Sequence, residues 1–191
     1  DLPSAMIEDV KIQMIELIGC DENEIIEASA KSGIGITNIF DAIIKRIDAP
    51  LNKADHDCRA LIFDSMYDNY KGAIPYVRVF DGVIKPGMTA QFFAHDREYE
   101  ITETGHFVLD KVKTSELRSG DVGYIVASIR DMGHIEPGDT ITVKSSMAKD
   151  PLPGYKKVKP MVFSGLYPAD ADDYDKLRQA LEKLKLNDAS L

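Results

Sequence analysis

Residues 28–36 read Ala-Ser-Ala-Lys-Ser-Gly-Ile-Gly-Ile, and Ser29, Ala30 and Lys31 stand in an order that suits recognition of a flat, hydrogen-bonding ring. A guanine offers an acceptor at O6 and donors at N1 and N2. The backbone N–H of Ala30, at the end of an apolar run, can donate to O6, and its methyl side chain keeps the approach open. The Ser29 hydroxyl can brace the loop or a neighbouring carboxylate. The alkyl stem of Lys31 can cover a ring face while its ammonium stays in water. Gly33 and Gly35 let the chain turn before the next helix. Ser, Lys and Gly also fill ordinary strand-to-helix loops, where they do no more than reverse the chain. Three residues alone leave both readings open.

The flanking segments decide where this loop sits. Residues 4–18 have the spacing of an amphipathic helix, with Ile7, Val10, Met14, Leu17 and Ile18 recurring on one face. Ser4 is placed to cap it, and Gly19 to close it in the left-handed conformation. Residues 24–30, Glu-Ile-Ile-Glu-Ala-Ser-Ala, predict a short strand, and residues 37–47 a second helix with Pro50 just beyond it. Ser29 to Lys31 then fall at the carboxyl end of a strand, where ligands of α/β sheets bind. Asp1 precedes Ser29 by 28 positions, with one helix between. Two helices and one strand bury too little to stand alone, so residues 1–50 read as the C-terminal part of an α/β domain.

From residue 57 the period changes. Short runs rich in Val, Ile, Phe, Tyr and Thr are separated by Asp81-Gly82, Pro86-Gly87, Ser119-Gly120 and Pro137-Gly138. This pattern predicts an antiparallel β-barrel or sandwich over residues 51–149. Residues 150–160 carry three prolines and read as a linker. After it come a strand-like run at 161–168 and a helix at 171–185, capped by Asp170 or Asp172: a truncated α+β (βα) start. The fold class is therefore mixed α/β and all-β.

Composition narrows the function. The 191 residues are 44% hydrophobic and 29% charged, with a formal net charge of −9 that argues against non-specific nucleic-acid binding. Residues 1–50 hold 4 Lys/Arg against 10 Asp/Glu, whereas residues 151–191 hold 7 against 6, so a nucleic-acid surface belongs in the later segments. Cys20 and Cys58 read as free thiols of a reducing cytosol. His56, His95, His106 and His134 lack ligand spacing, so no metal site is expected. No apolar run approaches the ~18–20 residues a membrane span needs. Tyr67, Tyr70 and Tyr76 could stack on bases, but strand aromatics in a barrel core are the commoner case. Lys71, Lys85, Arg97, Arg118, Lys156, Lys157 and Lys159 are candidate RNA contacts set against plain solvated charge. The absence of an initiator Met points to a piece of something larger.

Several stretches carry a family resemblance. Residues 80–88 (FDGVIKPGM), 119–125 (SGDVGYI) and 136–143 (EPGDTITV) resemble turns of the second-domain barrel of translational GTPases. Residues 159–191, from KPMVFSGLYPADADDYDKLRQALEKL onward, resemble the opening of the third domain in the elongation factor 4 (LepA) family. The resemblance covers the whole chain, but only about a third of a family member. It implies that residues 1–50 end a GTP-binding domain, that 51–149 are domain II, and that 150–191 open a ferredoxin-like domain III. It also implies that Asp1 is the last residue of an Asn-Lys-x-Asp motif, accepting from guanine N1 and N2, with Ser29, Ala30 and Lys31 completing the guanine site.

GTP and Mg²⁺ are the implied cofactors of the whole protein, with none expected on this chain, which lacks the phosphate loop and switches and is assigned no catalytic residue. The implied partners are the ribosome (ribosomal RNA and proteins) and tRNA, in a cytoplasmic protein without obligate oligomerisation. Peripheral association with the inner membrane is a further implication, as is GTP-driven remodelling of tRNA-bound ribosomes, proposed as back-translocation. The alternatives are another translational GTPase, of the elongation factor G or tetracycline-protection type, and a non-catalytic barrel-containing binding protein.

Overall fold

The computed structural model describes residues 2–155, 161–186 and 188. They fall into two units, Asp1–Ala49 and Pro50–Leu191.

The larger unit is built on β-strands. These are β1 (Arg59–Asp68), β2 (Gly72–Asp81), β3 (Val83–Ile84), β4 (Thr89–Phe92), β5 (Arg97–Glu100), β6 (Glu103–Val108), β7 (Asp110–Thr114), β8 (Leu117–Arg118), β9 (Val122–Val126) and β10 (Thr140–Val143). Eight of them form one sheet in the order β5-β4-β10-β1-β2-β9-β6-β7, with β3 and β8 paired separately. Every pairing between these strands is antiparallel.

The order itself shows why the sheet curls. β5 and β6 lie six strand spacings apart, roughly 29 Å in a flat sheet. Only Ile101 and Thr102 join them, a link that reaches about 10 Å. The sheet must bend until its ends approach. Hydrogen bonds hold the join: Ile101 N–H donates to Met88 O at 2.9 Å and Thr102 N–H to Val126 O at 2.8 Å.

Alternation along the strands supplies the interior. Ala60, Ile62, Val77, Val79, Phe92, Ile125 and Ile141 point into one apolar core. In β1 the buried positions run Ala60, Ile62, then Ser65, because the β1–β2 register shifts between Ile62 and Asp64. That bulge leaves Phe63 and Asp64 both off the core and turns Ser65 inward. A smaller cluster of Ile74, Tyr124 and Val126, with Met66 and Tyr76 against it, is separate from the main core. Tyr67 and Tyr76 are partly buried as expected, but Tyr70 sits in the β1–β2 turn and is 95% exposed. At Asp81-Gly82 the turn needs glycine: Gly82 has φ +76°, and a Cβ there would lie 2.6 Å from Cys58 Cα.

Residues 161–168 form no strand, since no neighbouring strand among the described residues offers them a ladder. A 3-10 turn at Ala171–Asp173 leads into α3 (Tyr174–Leu184), in place of a helix starting at 171. No aspartate caps it through its side chain. The Asp173 carboxylate instead takes the Lys176 ammonium at 2.7 Å.

In the smaller unit, α1 spans Ile7–Ile18 and α2 spans Ile36–Arg46. The expected Ser4 cap does not form. Ala5 N–H donates to Leu2 O at 3.0 Å, which locks Ser4 inside a turn, and Met6 becomes the N-cap. Gly19 closes α1 at φ +73°, donating to Ile15 O. The strand expected at 24–30 is also absent as a ladder. Glu22–Glu24 take a 3-10 turn fixed by an Asp21/Glu24 capping box, and residues 25–28 run without a strand partner. No residue of α1 or α2 is buried, as expected of helices whose covering sheet is not among the described residues.

Candidate nucleotide-base site

The loop that follows residues 25–28 is a compact reversal. Ser29 and Ile34 pair as an antiparallel bridge, with Ser29 N–H donating to Ile34 O at 2.9 Å. Gly33 N–H returns to Ser29 O at 2.8 Å, and Ser32 N–H reaches the Ser29 hydroxyl at 3.4 Å. The Ser29 hydroxyl thus accepts from within the loop, one of the two roles open to it. Ala30 and Lys31 occupy the exposed tip. Among the described residues the Ala30 N–H has no hydrogen-bond partner, which is what a donor kept for a ligand requires.

Gly35 sets how the loop joins α2. It has φ +71° as the helix N-cap, and a Cβ at this position would lie 2.0 Å from the Glu27 carbonyl oxygen. Only a residue without a side chain lets α2 begin this close to the incoming chain. On the other side, Lys11 of α1 reaches the Glu27 carboxylate at 2.7 Å, Glu8 at 3.4 Å and Glu22 at 3.9 Å. Glu27 foremost, and Glu8 after it, raise the Lys11 pKa.

The structure therefore brings together Ser29, Ala30 and Lys31. Asp1, the fourth predicted site residue, lies outside the described residues, as do Lys156, Lys157 and Lys159. Reading for chemistry passed over Lys11 and Glu27. The signal was nevertheless available: Lys11 is the one cation among residues 1–30, against eight acids.

The barrel cations are mostly engaged. Lys71 pairs with Glu103 at 3.1 Å and Lys85 with Glu116 at 3.0 Å, and Glu116 also takes Arg118. Glu103 is additionally held by Lys113 at 2.8 Å and by the Tyr124 hydroxyl at 3.0 Å. Burial opposes ionisation of Glu103. The hydrogen bonds from Lys113, Lys71 and Tyr124 outweigh it and hold the carboxyl down at about 2. Burial and that same carboxylate push Tyr124 up to about 12. Lys71, Lys85 and Arg118 are thus each paired with a barrel carboxylate while remaining partly exposed. Among the described residues no group of three or more His, Cys, Asp or Glu could hold a metal ion, and no helix is long and apolar enough to cross a membrane.

Comparison with known proteins places these features. Residues 72–142 match the family described as elongation factor Tu domain 2. Over all 191 residues the chain is 48% identical to elongation factor 4 of Chlorobium phaeobacteroides (strain BS1), covering 100% of this chain and 32% of that protein. It is 47% identical to elongation factor 4 of Bacillus subtilis (strain 168), covering 100% of this chain and 31% of that one. A crystal structure of a Thermus thermophilus protein shares the fold, with a TM-score of 0.66 at 23% identity over 86% of this chain and 24% of its own. A bacterial selenocysteine-specific elongation factor does so with a TM-score of 0.56 at 20% identity, over 73% of this chain and 25% of its own. The chain spans about a third of the length of the curated relatives it matches. Matched from end to end at nearly half identity by proteins of one name, the chain is similar throughout to a segment of elongation factor 4 and carries a match to elongation factor Tu domain 2 within it.

Proposed function

We propose that this chain is part of a ribosome-binding translational GTPase, and that its own residues serve base recognition and ribosome contact while the hydrolytic machinery lies elsewhere in the longer protein. The observation that carries this reading is the end-to-end match to proteins named elongation factor 4. The division into the end of a GTP-binding domain (1–50), domain II (51–149) and the opening of domain III (150–191) is part of the proposal.

In this reading GTP, with Mg²⁺, supplies the cleavable phosphoanhydride when bound to the longer protein. The residues here take its base. The Ala30 N–H donates to O6, Ser29 keeps the reversal closed, the Lys31 stem covers a ring face, and Asp1 accepts from N1 and N2. The open Ala30 amide supports the fit. No residue of this chain touches the phosphates, so none is assigned to catalysis. The protein works in the cytoplasm on tRNA-bound ribosomes, with back-translocation as its remodelling step and peripheral membrane association as a second location.

Ribosome co-sedimentation tests the contact. The chain should pellet with ribosomes, with an affinity that falls as salt rises. Replacing Lys156, Lys157 and Lys159 together by Ala should reduce the slope of log K against log [salt] by up to about 2. An unchanged slope removes that cluster from the interface, and failure to pellet at low salt contradicts ribosome binding by this chain.

A further inference from the structure

Glu27 is the point where three pieces of the smaller unit meet. Its backbone carbonyl lies against Gly35, where α2 begins. Its carboxylate receives Lys11 from α1 at 2.7 Å. Two residues later the chain enters the Ser29–Ile34 reversal that carries the Ala30 amide. One ion pair thus connects α1, the helix preceded by Asp1, to the loop that holds Ala30.

The electrostatics give this contact weight beyond one surface pair. Lys11 is only 17% exposed and faces Glu8, Glu22 and Glu27. Without its charge, three carboxylates would face one another across the gap between α1 and the loop, in a unit that already carries net negative charge. These carboxylates are 53–77% exposed, so solvent screens their repulsion, which would still favour a wider gap than the ion pair does. Neither helix buries a residue in this unit, so little apolar packing would resist.

We propose that Lys11, acting through Glu27, is a positioning residue for guanine recognition: it fixes α1 and the Ser29–Ile34 loop at the spacing the base requires. This rests on the reading of Ser29, Ala30 and Lys31 as a base site. Lys11 does not touch the base. It sets where the amide that does so is held, and a hydrogen bond weakens steeply once its distance and angle depart from the preferred range.

The test uses the whole 191-residue chain, with two readouts on each of four proteins: unchanged, Lys11→Met, Lys11→Arg and Glu27→Gln. The first readout is amide hydrogen exchange at Ser29 and Gly33, whose N–H groups close the reversal. The second is titration with guanosine, followed at the Ala30 and Lys31 amides by NMR. Lys11→Met and Glu27→Gln should each speed loop exchange at least tenfold and weaken guanosine binding at least tenfold. Lys11→Arg, which keeps charge and reach, should restore both. Glu27→Gln keeps the side-chain shape, so it answers the question if Lys11→Met disturbs α1. If guanosine binds the unchanged chain and all variants equally, with equal exchange, the positioning role is wrong while the base site stands. If exchange responds but guanosine shifts no amide even in the unchanged chain, the base site fails and the ion pair is only structural.

Discussion

The Ser65 hydroxyl, buried in β1, donates to the carbonyl oxygen of Leu186 at 2.7 Å, joining positions 121 residues apart. Leu186 is 2% exposed and belongs to the same core as Ile62 and Val77. Lys183 adds a cation–π contact, 4.9 Å from the Tyr67 ring centroid. The end of α3 is thereby fastened to the strand pair at the centre of the barrel sheet. Leu186→Ala should destabilise the larger unit by about 2–4 kcal/mol, the usual cost of truncating a buried leucine. Denaturant unfolding followed at the barrel tyrosines measures this. An unchanged midpoint would mean that the leucine side chain does not complete the core.

Glu103 makes the barrel acid-sensitive in a defined window. Its folded pKa is about 2, below the ordinary value of 4.5, so the native state binds this proton less readily than the unfolded chain. The associated stability is fully present above pH 4.5 and drains away as pH falls toward 2. The difference corresponds to at most about 3 kcal/mol at neutral pH, lessened by solvent screening of the exposed Lys71 and Lys113 ammonium groups. Glu103→Gln should lower stability at pH 7 and flatten its loss between pH 4.5 and 2. Chemical unfolding at a series of pH values reads both effects, and parallel pH profiles for the two proteins would contradict the assignment.

The two thiols should behave differently. Burial, reinforced by the Asp81 carboxylate, pushes Cys58 up to about 12, and its side chain is fully enclosed. Cys20 is half-buried. A thiolate-specific reagent at pH 8 should therefore titrate one group rapidly in the native chain and the second only on unfolding. Rapid reaction of both would contradict the packing of Cys58 beneath the Gly82 turn.

The barrel was legible in the sequence because its signals are local. Asp81-Gly82 and Pro137-Gly138 mark turns by their backbone requirements alone, and alternation along β2 reveals its inner face. The inward turn of Ser65 was not legible, because a bulge depends on how β1 meets β2 and leaves no mark in β1 itself. Residues 25–28 and 161–168 have strand composition but no strand neighbour, and a strand exists only through its partner. Ser4 failed as a cap because the preceding turn took its backbone first. In the candidate site, the turn chemistry of Ser29 and Gly35 could be read directly. The brace between Lys11 and Glu27 could not, since it joins positions 16 apart by a contact that no periodicity encodes.

Base recognition by the Ser29–Ile34 loop is tested most directly by titrating the isotopically labelled chain with guanosine and with adenosine. Guanosine presents O6 as an acceptor, whereas adenosine places a donor amino group there and gives the Ala30 N–H nothing to bond. Guanosine at millimolar concentration should shift the Ala30 and Lys31 amides selectively, adenosine should leave them in place, and GTP should bind no more tightly than guanosine because this chain does not cradle its phosphates; a micromolar affinity for GTP would contradict this. Equal shifts from both nucleosides, or none from guanosine, would contradict the assignment of this loop to guanine.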